Sequence, residues 1–175
     1  MLSRCVINHC VATVTVSFRH TSTGKIRINQ VDLDPPGEAV TSESVVFKDE
    51  ERVWEYCEVF RLFLSGNIKQ FPDVPLELKH VTAFRRSVLL AARQIPWGKT
   101  VTYAQLAEKA GNKGAIRAAA SALANNPFPL VIPCHRIIRS DGTLGGFLKS
   151  KNDKSILLKE KLLEREGVDV NQLRL

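Results

Sequence analysis

The stretch Thr102-Tyr103-Ala104-Gln105-Leu106-Ala107-Glu108-Lys109-Ala110-Gly111-Asn112-Lys113-Gly114-Ala115-Ile116-Arg117-Ala118-Ala119-Ala120-Ser121-Ala122-Leu123-Ala124 reads as helix, turn, helix. Thr102 and Gln105 match a capping box, in which the Thr hydroxyl takes an N3 amide and the Gln side chain reaches back. The first helix runs to about Ala110, Gly111 to Gly114 form a short turn, and residues 115–124 form the second helix. Two short helices across a Gly-containing turn make a helix-turn-helix pattern. The second helix is nearly all small residues around one long cation, Arg117, so it can lie close against another surface, protein or nucleic acid. An Ala-rich core helix has the same composition.

Toward the N-terminus, residues 82–94 place Phe84, Val88 and Ala91 or Ala92 on one helical face, and Trp97-Gly98-Lys99 breaks that helix. Phe71-Pro72-Asp73-Val74-Pro75 is proline-punctuated and marks a boundary. Before it the chain changes character. Residues 11–18 have the β-branched, period-2 texture of a half-buried strand. Residues 21–25 form a turn, and Ile26-Arg27-Ile28 alternates again, as in a hairpin. After the loop Asp34-Pro35-Pro36-Gly37, a helix is expected from about Lys48 to Leu64, carrying Cys57 as a small core hydrophobe. The expected fold is therefore α/β. A small N-terminal domain (residues 1–78) combines a β-hairpin or sheet with a helix. A mostly helical, winged-helix-like domain (residues 79–175) carries the helix-turn-helix.

With 175 residues, 44% of them hydrophobic, the chain can bury a core. No apolar run reaches the roughly 18 residues a spanning helix needs, and the start lacks the apolar run of a secretory signal. Four scattered cysteines set no disulfide framework, so an intracellular, reducing compartment is expected: nucleus in a eukaryote, cytoplasm otherwise. Charge is uneven. Residues 79–175 hold 17 Lys or Arg against 7 Asp or Glu, a balance of +10, whereas residues 1–78 hold 8 against 11, a balance of −3; together these give the net +7. The basic half fits a polyanion partner, or simply a solvated basic surface.

The chemistry concentrates in Pro129-Leu130-Val131-Ile132-Pro133-Cys134-His135-Arg136-Ile137-Ile138, where a thiol beside an imidazole and a guanidinium follows an apolar, strand-like run. A free thiol of pKa ~8.5 is mostly protonated at neutral pH, so a reactive one needs a base or positive charge nearby. His135 and Arg136 can supply both, although adjacent side chains seldom bond directly and a water would carry the proton. On these residues alone, a structural thiol fits as well as a catalytic one.

The wider pattern resembles the O6-alkylguanine-DNA alkyltransferases (methylated-DNA–protein-cysteine methyltransferases). Pro133-Cys134-His135-Arg136 after Asn126-Pro127 resembles the active-site signature. Residues 95–103 with Leu106-Ala107 resemble the approach to the family's helix-turn-helix. Arg117 stands seventeen residues before Cys134, as the family's arginine finger does, and Glu166-Gly167 resembles the end of its final helix. The likeness covers roughly residues 82–167.

The resemblance implies a single-turnover enzyme that repairs DNA by moving an alkyl group from O6-alkylguanine onto Cys134, without a cofactor. It implies His135 as a base through water, Glu166 as its orienting carboxylate, Asn126 as a brace and Tyr103 beside the base. Arg117 would fill the stack left by a flipped nucleotide. The remaining DNA contacts implied are Thr102, Tyr103, Ala118, Ala119, Ser121 and Arg136, with the small-residue helix in the minor groove of duplex DNA. A monomer with no membrane association is expected. Two departures stand out. Phe147-Leu148 replaces a Tyr-Ser pair, removing two hydroxyls from the expected pocket rim, and residues 148–154 are longer than usual, leaving Lys154 as the guess for the pocket lysine. Some relatives hold a structural zinc; Cys5, His9, Cys10, His20 and His80 are candidate ligands here, at spacings that fit no compact zinc motif. The other readings are a damage-sensing DNA binder without transfer activity, disfavoured because Cys134 is retained, and a thiol hydrolase built on Cys134, His135 and Glu166.

Overall fold

The computed structural model describes residues 2–36, 50–150 and 153–174. The chain divides into two compact units, Met1–Glu77 and Leu78–Leu175.

The first unit is a three-stranded antiparallel sheet with one helix. Strands β1 (Leu2–Asn8), β2 (Thr13–His20) and β3 (Ile26–Asp34) lie in the order β1-β2-β3. The alternation read along β2 is real: Val14, Val16 and Phe18 point inward and are fully buried. The turn after His20 closes through Thr21, whose amide donates to the Lys25 carbonyl at 2.8 Å. β1 is an addition to the expected hairpin. Its core contribution, Cys5 and Ile7, is too sparse to show as a pattern. Helix α1 (Glu50–Leu64) places Val53, Cys57, Phe60 and Leu64 in the core at helical intervals. The expected helix start at Lys48 and the turn residue Gly37 lie outside the described residues. Cys57 is buried as expected, but it is also disulfide-bonded to Cys5 across 52 residues, a pairing that no short spacing announces.

The second unit is mostly helical. Helix α2 (Ala83–Arg93) buries Val88, Leu89, Ala91 and Ala92. Strand β4 (Val101–Thr102) runs straight into α3 (Tyr103–Lys109), and α4 (Ile116–Ala124) follows the Gly-containing turn. Both halves of the capping box form. The Gln105 amide donates to Thr102 Oγ1 at 3.2 Å, and the Thr102 amide donates to Gln105 Oε1 at 2.8 Å. Helices α2, α3 and α4 pack on one another. Arg85 ties α2 to the end of α4 by donating to the Asn125 carbonyl.

β4 pairs in parallel with β5 (Ile137–Ile138), which brings the α3 N-terminus beside the Cys134 segment. The apolar run before Cys134 is not a strand. It is a buried loop, with Leu130 at φ 71° and its ends bridged Pro129 to Ile132, leading into a 3-10 turn over Cys134–Arg136. Its apolar character reflects burial on all sides, which a loop and a central strand share. Helix α5 (Asp153–Arg165) closes the unit, burying Leu158, Leu162 and Leu163. Among the described residues, no helix is long and apolar enough to cross a membrane.

Candidate active site

Cys134 opens the 3-10 turn and lines a cavity of about 240 Å³ together with Tyr103 from α3, Ala120, Leu123 and Ala124 from α4, and residues 146–150. The cavity is smaller than the roughly 300–1,000 Å³ typical of drug-sized pockets, a size for one flat ring with a short substituent. The thiol is 7% exposed. Burial pushes its pKa up, more than the hydrogen bond from Asn126 and the nearby Lys159 cation pull it down. At neutral pH it rests as a thiol.

Asn126 fixes the loop in front of Cys134. Its Nδ2 donates to the Ile132 carbonyl at 2.9 Å, and its Oδ1 accepts from the Phe128 amide at 3.0 Å. One side chain therefore spans the turn at Pro127 and the approach to the thiol.

Behind Cys134, His135 is fully buried, and its Nε2 meets Glu166 Oε1 at 2.8 Å. Burial would raise the Glu166 pKa, but the bonds and charges of His135 and Arg136 outweigh it and pull the group down to about 2. An ionised carboxylate only accepts, so Nε2 is the protonated nitrogen of the neutral ring and Nδ1 keeps its lone pair. Nδ1 has no hydrogen-bond partner among the described residues. The imidazole pKa is lowered, first by burial and then by Arg136 and Lys159, against the opposing pull of Glu166. His135 is thus a neutral ring with an available basic nitrogen.

Glu166 is held by more than His135. Arg136 Nε donates to both carboxylate oxygens (3.1 and 2.9 Å) and its Nη2 to Oε1 at 2.8 Å, while the Gly98 amide donates to Oε2 at 3.0 Å. Gly98 has φ +69°, and a Cβ there would come within 2.9 Å of the Glu166 carbonyl oxygen. The close approach of the two segments requires the glycine.

Placement corrects several expectations. Arg136, expected at the DNA surface, has a side chain only 6% exposed, fully engaged with Glu166 and the Ile95 carbonyl, so it is not a surface contact. Ala119 is also buried, packed into the core side of α4, whereas Arg117, Ala118 and Ser121 face out. Thr102 is half-buried and spends its hydroxyl on the cap. Tyr103 lines the cavity, and its phenol pKa is raised, first by burial and then by Cys134, with Arg139 opposing.

Two residues were missed from sequence. Lys154 is exposed; the lysine inside is Lys159, fully buried, donating to the Ile137 and Leu144 carbonyls. Burial lowers its pKa to about 8, against the Cys134 charge. The signal was available: Lys159 stands seven residues before Glu166, on the face that also carries Leu158, Leu162 and Leu163. The second is Ser150. Phe147 and Ser150 exchange backbone hydrogen bonds of 2.9 Å in each direction, and Ser150 lines the Cys134 cavity. A serine thus stands on the cavity lining two positions after Leu148. The lengthened stretch that hides this in sequence includes Lys151 and Asn152, which lie outside the described residues.

The zinc candidates do not converge. Cys5 is bonded to Cys57, His20 meets Ser3 Oγ at 2.8 Å, Cys10 is exposed beside His9, and His80 is exposed in the second unit. Among the described residues, no group of three or more His, Cys, Asp or Glu is placed to hold a metal ion.

The sequence profile of the 6-O-methylguanine DNA methyltransferase DNA-binding domain matches residues 83–168. A methylated-DNA–protein-cysteine methyltransferase of Methanothermobacter thermautotrophicus is 46% identical over 110 residues, 63% of this chain and 58% of that protein. A protein of the same name from Saccharolobus islandicus is 37% identical over 123 residues, 70% of this chain and 75% of the relative. The match spans less than two thirds of the first curated relatives, at 58%, 30%, 55% and 62% of their lengths. Among solved structures, the Mycobacterium tuberculosis OGT in complex with DNA superposes with a TM-score of 0.69 at 26% identity, over 96% of each chain.

Proposed function

The chain belongs to the methylated-DNA–protein-cysteine methyltransferase family, and on that premise we propose that it repairs O6-alkylguanine in duplex DNA by taking the alkyl group irreversibly onto Cys134. The observation that carries this reading is the cavity-lining thiol backed by a neutral, buried His135 whose one N–H is committed to an ionised Glu166.

Cys134 begins as a thiol. His135 Nδ1 takes its proton through a water, and Glu166 stabilises the imidazolium that results. The thiolate sulfur attacks the alkyl carbon in line: the S–C bond forms as the bond from that carbon to guanine O6 breaks, and the electron pair leaves on the base. The departing guanine anion then takes a proton from solvent water, and the Cys134 proton held on His135 returns to solvent, so that the proton count closes. Tyr103 serves here as a hydrogen-bond donor, since its raised pKa keeps the phenol protonated across neutral pH. The thioether is inert, so each molecule acts once. No cofactor takes part, and none of the roles above needs zinc.

A base inside a duplex is out of reach of this cavity, so the nucleotide must be flipped. Arg117 is exposed near the start of α4, and the far end of the same helix (Ala120, Leu123, Ala124) walls the cavity. One helix thus connects a cation for the emptied stack with the pocket for the extruded base. Its exposed small residues, Ala118 and Ser121, fit a minor-groove approach. The protein acts as a monomer within the cell, in the compartment that holds the DNA.

Intact mass after incubation with an O6-methylguanine duplex tests the reading. The native chain should gain one methyl, mapping to the peptide that contains Cys134. Cys134→Ser should gain none while binding the duplex about as tightly. An unchanged native mass with retained binding would favour the damage sensor. Multiple turnovers of an ester substrate with unchanged mass would favour the hydrolase.

A further inference from the structure

Arg136 has no part in the transfer chemistry as derived, yet it is among the most thoroughly bound side chains of the site. Its guanidinium makes three hydrogen bonds to Glu166 and one of 2.6 Å to the Ile95 carbonyl, and it lies 5.9 Å from the centre of the Trp97 ring. Glu166 Oε1 accepts from Arg136 and from His135 at the same 2.8 Å distance. One carboxylate therefore serves two neighbours, a base that must change its charge and a guanidinium that never does.

This sharing matters because an imidazole alone with a buried carboxylate favours the imidazolium: an opposite charge at contact distance raises the pKa of the cation. A ring already protonated cannot accept the thiol proton. A permanent cation on the same carboxylate reduces that pull while keeping the carboxylate oriented.

We propose that Arg136 is a positioning residue for the transfer reaction, which shares Glu166 with His135 so that the imidazole is oriented by the carboxylate yet remains neutral and able to accept the Cys134 proton. The inference rests on the alkyl-transfer reading. The charged and titratable groups around His135 are Lys159 from α5 and Glu166 just beyond its end, with Arg136 and Cys134 from its own turn; Arg139 after β5 and Cys134 act in turn on Tyr103 from α3. Burial and both cations favour the neutral ring, and Glu166 alone opposes them. Lys159 is the less constant helper, because its own pKa of about 8 lies where the reaction runs.

The test is the rate of methyl transfer from an O6-methylguanine duplex between about pH 5 and pH 9, the span over which imidazole and thiol titrate. The native chain, Arg136→Met and Arg136→Lys are compared. Removing the cation should raise the pKa of His135, so the acid limb of the profile should move up by roughly one unit or more. At a pH well below both midpoints, a one-unit move is a loss of about tenfold. Arg136→Lys should restore the native midpoint even where it lowers Tm. Variants that lose stability with the acid limb unmoved would overturn the proposal and leave Arg136 a structural residue. If Arg136→Met does not fold, side-chain NMR of His135 in the native chain and in Arg136→Lys decides. With Arg136→Gln added, a His135 midpoint that rises in Arg136→Gln and returns in Arg136→Lys is expected, and a midpoint that is the same in all three overturns the proposal. The NMR readout needs no transfer, so a native chain that fails to gain methyl would sink the function while the role of Arg136 is still decided by the ring's protonation.

Discussion

The floor and the rim of the Cys134 cavity are built in opposite ways. The floor is over-determined: Glu166 alone accepts from His135, from Arg136 three times and from the Gly98 amide, and Asn126 pins the loop in front of the thiol. The rim is a tight turn, Phe147 to Ser150, closed by two backbone hydrogen bonds. Its central residues Leu148 and Lys149 sit at φ 50° and 61°, a left-handed conformation that favours glycine. Buried polar networks have to be satisfied as a whole or they destabilise, so the floor has little freedom to vary. A turn at the mouth of a cavity can change length and side chains while the chemistry beneath stays fixed. On the proposed alkyl transfer, proton transfer would belong to the floor and selection among alkyl groups to the rim.

The floor breaks most severely at Glu166. Glu166→Gln removes the charge that stabilises the imidazolium and the acceptor that orients the ring, so transfer should slow by roughly 10²-fold or more, the usual contribution of a positioned acid–base group. Duplex affinity should hold. Stability should respond to acid in a matching way. The folded-state pKa of Glu166 is lowered to about 2 from an ordinary 4.5, so its contribution is present above 4.5 and is lost as pH falls from there toward 2. Denaturation followed over that window should show a slope in the native chain that is reduced in Glu166→Gln. Equal slopes would mean that Glu166 is not the carboxylate anchoring the floor.

Arg117 lies outside both regions, on the exposed side of the helix whose other end walls the cavity. Arg117→Ala should reduce repair of duplex DNA by about tenfold or more, since stabilising a flipped nucleotide is a matter of a few kcal/mol. Reaction with free O6-benzylguanine, which needs no flipping, should be nearly unchanged. An equal loss on both substrates would show that the DNA face and the cavity are not separable.

What could be read from sequence follows the same division. Thr102 and Gln105 announced the helix start because a capping box is a local interaction three residues long, and both of its bonds form. Cys134 and His135 stand out as a thiol beside an imidazole, but their catalytic roles, and that of Glu166, come from the resemblance to the alkyltransferase family. Arg136 misled because a charged side chain beside a reactive one is expected to reach solvent. Its burial depends on the Trp97-Gly98 segment and on the end of α5, both distant in sequence. Ala119 misled for the opposite reason, since a helix of small residues carries little hydrophobic contrast to tell its inner face from its outer one. Cys5 with Cys57, and Ser150 in the cavity, are products of tertiary placement alone.

The smallest effect concerns the rim and is a matter of ratio. Leu148 is half-buried and lines the cavity that holds Cys134, at the position where the family resemblance implies a serine. A Leu side chain projecting into a cavity of about 240 Å³ crowds a benzyl group and leaves a methyl untouched. Overpacking a close-fitting site costs about 1–3 kcal/mol, and each 1.36 kcal/mol is a factor of ten in rate. Leu148→Ser should therefore raise the ratio of benzyl to methyl transfer by roughly tenfold, with a small change in the methyl rate. Proportional acceleration of both substrates would mean that the hydroxyl at position 148 matters and the bulk of Leu148 does not. Unchanged rates on both would mean that the rim, unlike the floor, takes no part in choosing the substrate.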